Sequence, residues 1–270
     1  MAADVSFLSR AVPRPARLRY RLKAAIESSV GVVATLFIWQ AISVSIRNPS
    51  VLPSPAAVLA ALKEMFSSAD IFTDIAVSLG HLGSGYLAGI ALGLILAALT
   101  ARYRGFGAVV EPVVEVLRPI SAIAWIPIAI LLFGVSDAVP VFLIAYAAAF
   151  PIFVSMLDGM RRIDASLLNA ARSLGATPSF VISHVILPAA APHAMTGARI
   201  SLGLAWMAMV AGELVGADRG LGWRIMWYQE FFMMDRVMGI ILVIGVLGFL
   251  ADAGLRRLQS ALVHWNPEAP

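Results

Sequence analysis

The sequence predicts an all-α polytopic membrane protein with about six transmembrane helices, and three observations carry that prediction. The 270 residues have a mean hydropathy of +0.86, with 60% hydrophobic and only 13% charged side chains, which lies outside the soluble globular range. The charges gather in short intervals between long apolar stretches, as expected when an ionised side chain at the bilayer centre costs about 2.5 to 3.5 kcal/mol. Most of those stretches approach or exceed the roughly 20 residues that cross hydrocarbon.

Taken in order, a basic segment, residues 1–27, precedes the first apolar stretch, Ser28 to Ile46. No small-residue cleavage site follows a short apolar core, so this span is expected to be retained rather than removed as a signal peptide. The second runs from Ile75 to Ala101, with Gly85, Gly89, Gly93 and Ala97 recurring every four residues on one face, a pattern for close helix packing. The third, Pro119 to Ser136, contains Trp125 and Pro127, and the fourth, Ala138 to Leu157, is bounded by Pro140 and Pro151. Each proline removes a backbone donor and favours a kink, which serves gating or packing alike. The fifth, Ala190 to Val215, carries Arg199 near one end and Glu213 near the other; the sixth, Val237 to Leu255, includes Asp252 near its inner end. A single transmembrane domain, 28–262, thus leads to a tail, 263–270.

Between the fourth and fifth spans lies a polar interlude, Asp164 to Leu187, too charged to cross a bilayer. It reads as two short helices meeting at a corner. Gly175 suits the C′ position of the first, and Thr177 and Pro178 suit the N-cap and N1 positions of the second. Leu167, Leu168, Ala171 and Leu174 give the first helix one apolar face, leaving Asn169 and Arg172 toward a partner or water.

Sidedness follows from the basic residues. Of the 20 Lys and Arg, only Arg47, Lys63, Arg219, Arg224 and Arg236 fall on one side; the rest share the side of both termini and of the Gly175 corner. The positive-inside bias places that side in the cytoplasm. The same clustering beside apolar spans explains the net charge of +4 without nucleic acid. With zero cysteines there is no disulfide or thiolate chemistry. His81, His184, His193 and His264 lack ligand spacing, so no metal site is expected.

The spacing Asn169-Ala-Ala-x-x-x-Gly175, nine residues, then Val185-x-Leu-Pro188 resembles the loop by which permease subunits of ATP-binding-cassette importers dock their ATPase. Arg118-Pro-Ile-Ser-Ala-Ile-Ala-Trp-Ile-Pro127 and Leu131-Leu-Phe-Gly134 resemble the taurine, aliphatic-sulfonate and nitrate branch of that family. So do Gly197-Ala-Arg199, Leu202-Gly-Leu-Ala-Trp206, the run Glu213 to Gly222 and the closing His264-Trp-Asn-Pro267. The resemblance covers roughly residues 50 to 265. One departure is that Asn169 stands where the family has a glutamate; an amide keeps hydrogen-bonding capacity but loses the charge.

The resemblance implies a type I importer permease fold in the bacterial cytoplasmic membrane. It implies a homodimer, two cytoplasmic ATPase subunits that bind the ATP and magnesium, and an external solute-binding protein. It makes Asn169, Ala170, Ala171, Arg172, Leu174, Gly175, Ala176 and Phe180 the coupling loop. No phosphate-binding G-x-x-x-x-G-K-[ST] motif occurs in the chain, so no cofactor site is expected in it and fuel is burned elsewhere.

Candidate pathway or gate residues are Arg118, Trp125, Pro127, Trp206, Met207 and Glu213. Arg118 shares a helical face with Glu111 and Glu115, so either those carboxylates neutralise it or it attracts an anionic solute, a sulfonate or taurine first. Trp125, Trp206 and Met207 form apolar walls or simply pack. Glu213 is expected to hydrogen-bond the glycine-rich turn at Gly220 and Gly222 rather than to meet an anion. Two rival classes remain. An ion-driven secondary transporter generally needs midplane ion sites and often inverted halves, neither of which is clear here. An intramembrane enzyme built on Ser84 lacks a base, since His81 reads as a packing group.

Overall fold

The computed structural model describes residues 14–262, with side-chain environments from residue 30 to 261. The expectations for 1–13 and for the 263–270 tail, with its His264 motif, lie outside the described residues. Helices in chain order are α1 (Arg14–Ile46), α2 (Pro55–Met65), α3 (Asp70–Arg102), α4 (Arg104–Leu117), α5 (Ile126–Phe133), α6 (Ala138–Arg161), α7 (Ala165–Ser173), α8 (Pro178–Val181), α9 (Leu187–Gly216), α10 (Leu221–Glu230) and α11 (Met234–Leu262). A 3₁₀ turn (Ala122–Trp125) leads into α5, and a π-helical turn (Ile182–Ile186) joins α8 to α9.

The glycine row explains how α6 comes to lie at the centre. A Cβ on Gly85 would stand 2.7 Å from Ile144 Cβ, one on Gly89 2.6 Å from Ala148 Cβ, and one on Gly93 2.6 Å from the Ala149 carbonyl. Backbones therefore touch where side chains would otherwise hold them apart. Since both numberings rise together, α3 and α6 run parallel, and the chain between them must cross back. On the far side of α6, Gly197 meets Ser155, Gly212 meets Pro140 and Gly216 meets Val139, so α9 runs antiparallel. Leu143, Ile144, Ala148, Ile152, Ala205 and Met209 fill the space between these helices and are buried. Gly89→Leu is expected to cost at least the 1–3 kcal/mol typical of overpacking, because backbone rather than a flexible side chain blocks it; the yield of folded protein in detergent measures this.

The third crossing departs from expectation. Instead of one helix over Pro119 to Ser136, α4 and the segment Ala122–Phe133 form a span broken by a 95° bend. Val110 and Val114 of α4 pack with Ala97, Phe153 and Leu157, and the Tyr146 hydroxyl donates to the Leu117 carbonyl at 2.8 Å. The helix thus climbs beside α6 before breaking at Pro119. Tyr146 lies eight residues into α6, about 12 Å from its start. The break therefore sits well inside the bundle, not in the cytoplasmic loop to which the charge count assigned Arg118.

Among the described residues four helices are long and apolar enough to cross a membrane: α3, α6, the continuous helix Pro178–Gly216 and α11. The bent pair, taken as one span, makes a fifth, and the expected first span is represented by the shorter apolar Val30–Ile46 part of α1. Helix α1 itself begins at Arg14, inside the segment read as a basic tail. At its other end Trp39 donates to the Pro53 carbonyl at 3.1 Å. The two short helices α2 and α10 were not anticipated, although Ser54 as N-cap and Pro55 in the first turn of α2 are ordinary start signals.

Candidate functional site

Three places carry the chemistry, one at each end of the bundle and one within it. At the end where α3 and α6 finish, α7 stands away from the helices. The Asp164 carboxylate accepts from the Ser166 N–H at 2.8 Å. This bond holds the carboxyl below its ordinary pKa. A depressed carboxyl keeps the cap formed above the ordinary carboxylate range and loses it as pH falls through the lowered value, so the cap is present at neutral pH. At the other end, the Gly175 N–H bonds the Arg172 carbonyl at 2.9 Å and the Ala176 N–H bonds the Ala171 carbonyl at 3.1 Å, with Gly175 at φ +79°. This is a Schellman closure.

The second arm was expected as a separate short helix, and the structure corrects this. Thr177 does cap it, accepting from Phe180, with Pro178 in the first turn, but the helix runs on without a corner through α9. Pro178–Gly216 is one helix of 39 residues. Pro188 has no N–H for the His184 carbonyl, and the ladder passes the preceding turn in π register. The elbow is thus one short helix fixed to the foot of a full span. Its apolar face is partly uncovered: Leu174 is 88% exposed and Leu167 49%, and Phe180 on the second arm is 47% exposed. Asn169, Ala170 and Arg172 are exposed, while Leu168, Ala171 and Ala176 are half-buried. Behind the elbow a cavity of about 530 Å³ is lined by Ala101, Arg102, Met160, Arg172, Val181 and Leu187.

Within the bundle, the break after α4 opens a cavity of about 340 Å³ lined by Arg118, Ser121, Tyr146, Phe150, Ser155 and Met207, among others. Of the two readings of Arg118, neutralisation by its helix neighbours is not found among the described residues. Glu111 pairs with Arg161 at 2.6 Å instead, because the climb of α4 along α6 brings Glu111 to the end of α6 and carries Arg118 away from it. Among the described residues Arg118 makes no ion pair. Arg118 and Met207 therefore share one wall. Trp125 and Trp206 do not line it; both pack against the core around Ala205 and Met209, each with a buried indole N–H lacking a partner. Trp125 lies against Tyr146, ring centres 5.4 Å apart. Pro127 sits exposed in the first turn of α5.

At the opposite end Glu213 is fully buried. Its Oε2 accepts from the Gly222 N–H at 2.9 Å and the Ser78 hydroxyl at 2.8 Å, and its Oε1 lies 2.9 Å from His81 Nδ1. A Cβ on Gly220 would fall 2.6 Å from the Glu213 carboxyl, so glycine is required there by space as well as by its φ of +116°. His81 Nε2 also reaches Asp137 at 3.2 Å. Nearby, Arg224 closes on Asp74 at 2.6 Å. Ser78, His81, Asp137 and the Asp74–Arg224 pair were not recognised from sequence. A signal was available, since Asp74, Ser78 and His81 recur at i, i+4 and i+7, a polar stripe entering an apolar helix. Among the described residues no His, Asp and Glu cluster suits a metal ion.

Residues 89–264 match the model of the binding-protein-dependent transport system inner membrane component. The chain belongs to this family. The permease is 33% identical to the taurine transport system permease protein TauC of Escherichia coli, over 94% of this chain and 95% of that one. It is also 33% identical to SsuC of Bacillus subtilis, named for aliphatic sulfonates transport, over 94% and 91%. Identity to the bicarbonate transport system permease protein CmpB of Synechococcus elongatus is 30% over 91% and 92%. Among solved structures, it resembles a chain of the inward-facing MetNI methionine ABC transporter at TM-score 0.59 and 22% identity, covering 71% of this chain and 95% of that one. An amino acid ABC transporter crystallised with histidines matches at TM-score 0.60 and 16% identity, covering 75% and 97%. These two likenesses concern the fold alone, and they agree with the expected ABC importer permease architecture.

Proposed function

We propose that this permease forms the pathway for a small anion, an alkanesulfonate or taurine first, and that separate cytoplasmic ATPase subunits drive it through the α7 elbow. The observation that carries this reading is the elbow itself: an exposed helix capped at both ends, with uncovered leucines, continuous at its foot with a 39-residue span. A push on α7 moves α9 as a rod, and α9 packs along α6, so the pathway walls shift together. A second copy of the chain completes the pathway, and a solute-binding protein delivers from the Glu213 end. Basic residues around the elbow support placing that end and both termini in the cytoplasm of the bacterial inner membrane. ATP and magnesium belong to the ATPase partners.

Arg118 supports the anionic substrate. An arginine beside serine and tyrosine hydroxyls, inside a largely apolar cavity and without a carboxylate partner among the described residues, suits a tetrahedral or planar anion. The names of the sulfonate, taurine and bicarbonate relatives point the same way. Arg118→Gln is expected to raise KM for uptake about tenfold or more, the loss of one charge-assisted hydrogen bond of roughly 1.5–3 kcal/mol, with ATPase docking intact. The whole reading is tested by reconstituting the permease with its ATPase and binding protein in vesicles and following labelled taurine. Uptake that continues without ATP would instead support the ion-driven alternative.

A further inference from the structure

The cavity of about 530 Å³ behind the elbow is walled by the last turns of α3 and α6 on one side and by α7, α8 and the start of α9 on the other. Ala98, Met160, Val181, Ile186 and Leu187 make most of the wall apolar, and its charged residues are Arg102 and Arg172, with no carboxylate beside them. Among the described residues neither arginine makes an ion pair. Glu111 is taken by Arg161 at 2.6 Å, Asp164 caps α7 through the Ser166 N–H, and Arg102 lies over the Tyr103 ring at 5.0 Å. The cavity also opens along the membrane. Ile95, Leu99 and Arg102 follow at i, i+4 and i+7 and are exposed, so an apolar outer stripe of the α3 span runs directly to the arginine. Ile182 and Leu187 are exposed across from it. Tyr103, 53% exposed, ends the span with an amphipathic ring of the kind found at the headgroup layer.

We propose that this cavity binds one anionic phospholipid, with the phosphate between Arg102 and Arg172 and an acyl chain along the Ile95 and Leu99 stripe. Two guanidinium groups from different elements suit the charge and oxygen geometry of a phosphodiester, and basic cavities at the ends of membrane helices are where anionic headgroups settle. The apolar wall decides the source of the phosphate. A free anion would leave that wall in water, whereas a lipid covers it as its headgroup is held. The lipid also has a mechanical consequence. Helix α7 has no buried residue, and its caps fix only its two ends. A phosphate shared by Arg172 of α7 and Arg102 of α3 ties the elbow to the bundle along its length. Asn169 and Leu174, which do not line the cavity, are left for an ATPase on the outer side.

The site does not rest on the transport reading, and its test needs neither ATPase nor substrate. The chain has no cysteine, so Ile95→Cys, an exposed position two turns before Arg102 and outside the cavity lining, takes one fluorophore without filling the site. In nanodiscs of phosphatidylcholine and phosphatidylglycerol, quenching is compared when one lipid or the other carries brominated chains. The relative affinity of the two follows from a series of mixtures. Both leaflets share one composition, so the result holds whichever face is cytoplasmic. Phosphatidylglycerol is expected to be preferred. Arg102→Gln and Arg172→Gln should each lower the preference about fivefold, the worth of one arginine near an anionic membrane surface. Arg104→Gln separates the site from general surface charge. Arg104 is exposed and two residues from Arg102, but it lines a different cavity with Glu111 and Arg161, so its loss should leave the preference in place. Exchanging potassium chloride for potassium phosphate at equal ionic strength should not alter it either. Equal quenching by the two lipids, equal losses in all three arginine variants, or displacement by inorganic phosphate overturns the proposal. Each substituted side chain is exposed, so the variants are expected to fold. ATP-driven uptake remains a separate test of the transport reading.

Discussion

Glu213→Ala is expected to destabilise the permease by about 3–5 kcal/mol, the usual consequence of removing one partner from a buried charged network. The change strands the Ser78 hydroxyl, the Gly222 N–H and the His81 ring at once. It also empties the space that Gly220 leaves for the carboxyl. Glu213→Gln keeps an acceptor for the Gly222 N–H and should lose less than half as much. Thermal unfolding in detergent, followed by loss of monodisperse protein, measures both. A Glu213→Ala protein as stable as its parent would show that the network does not hold α3, α9 and α10 together.

The second large effect falls on coupling rather than stability. Gly175→Val is expected to reduce ATPase co-purification and ATP-driven uptake by tenfold or more, while membrane insertion and yield stay close to normal. No atom lies within 4 Å of a Cβ at Gly175, so crowding is not the cause. The cost is the left-handed backbone, about 1–2 kcal/mol for an L-residue and more for a β-branched one. That cost reopens the turn that sets the direction of α7. Gly175→Asn, which tolerates this conformation, should retain most activity. Normal coupled uptake by the valine variant would remove the elbow from the mechanism.

Much of the elbow was legible because its signals are local. A glycine at positive φ, a threonine followed by proline, and the spacing to Pro188 are each fixed within a few residues, and the structure shows both caps. What local signals did not disclose was that the second arm continues into α9, since a π turn needs no distinctive residue beyond the proline after it. Arg118 shows the same limit. Its one-face spacing with Glu111 and Glu115 is real, but the bend after α4 and the presence of Arg161 decide which carboxylate finds which cation. Trp125 and Trp206 were grouped with Met207 by their places in the sequence, and only packing separated the core-facing indoles from the cavity wall.

The sequence alone determined that this chain lives in lipid, how many apolar elements it has, which of its ends gathers positive charge, and which family it resembles. These follow from composition, charge cost and local backbone preference, which act over one helix or less. Tertiary structure alone decided that the third crossing breaks just after Arg118, that the elbow is one piece with α9, and that His81, Glu213 and Asp137 meet. Those residues lie far apart in the chain, and their meeting depends on the close parallel approach of α3 to α6 and the antiparallel approach of α9. The glycine contacts fix both through backbone separation, a quantity no single segment specifies.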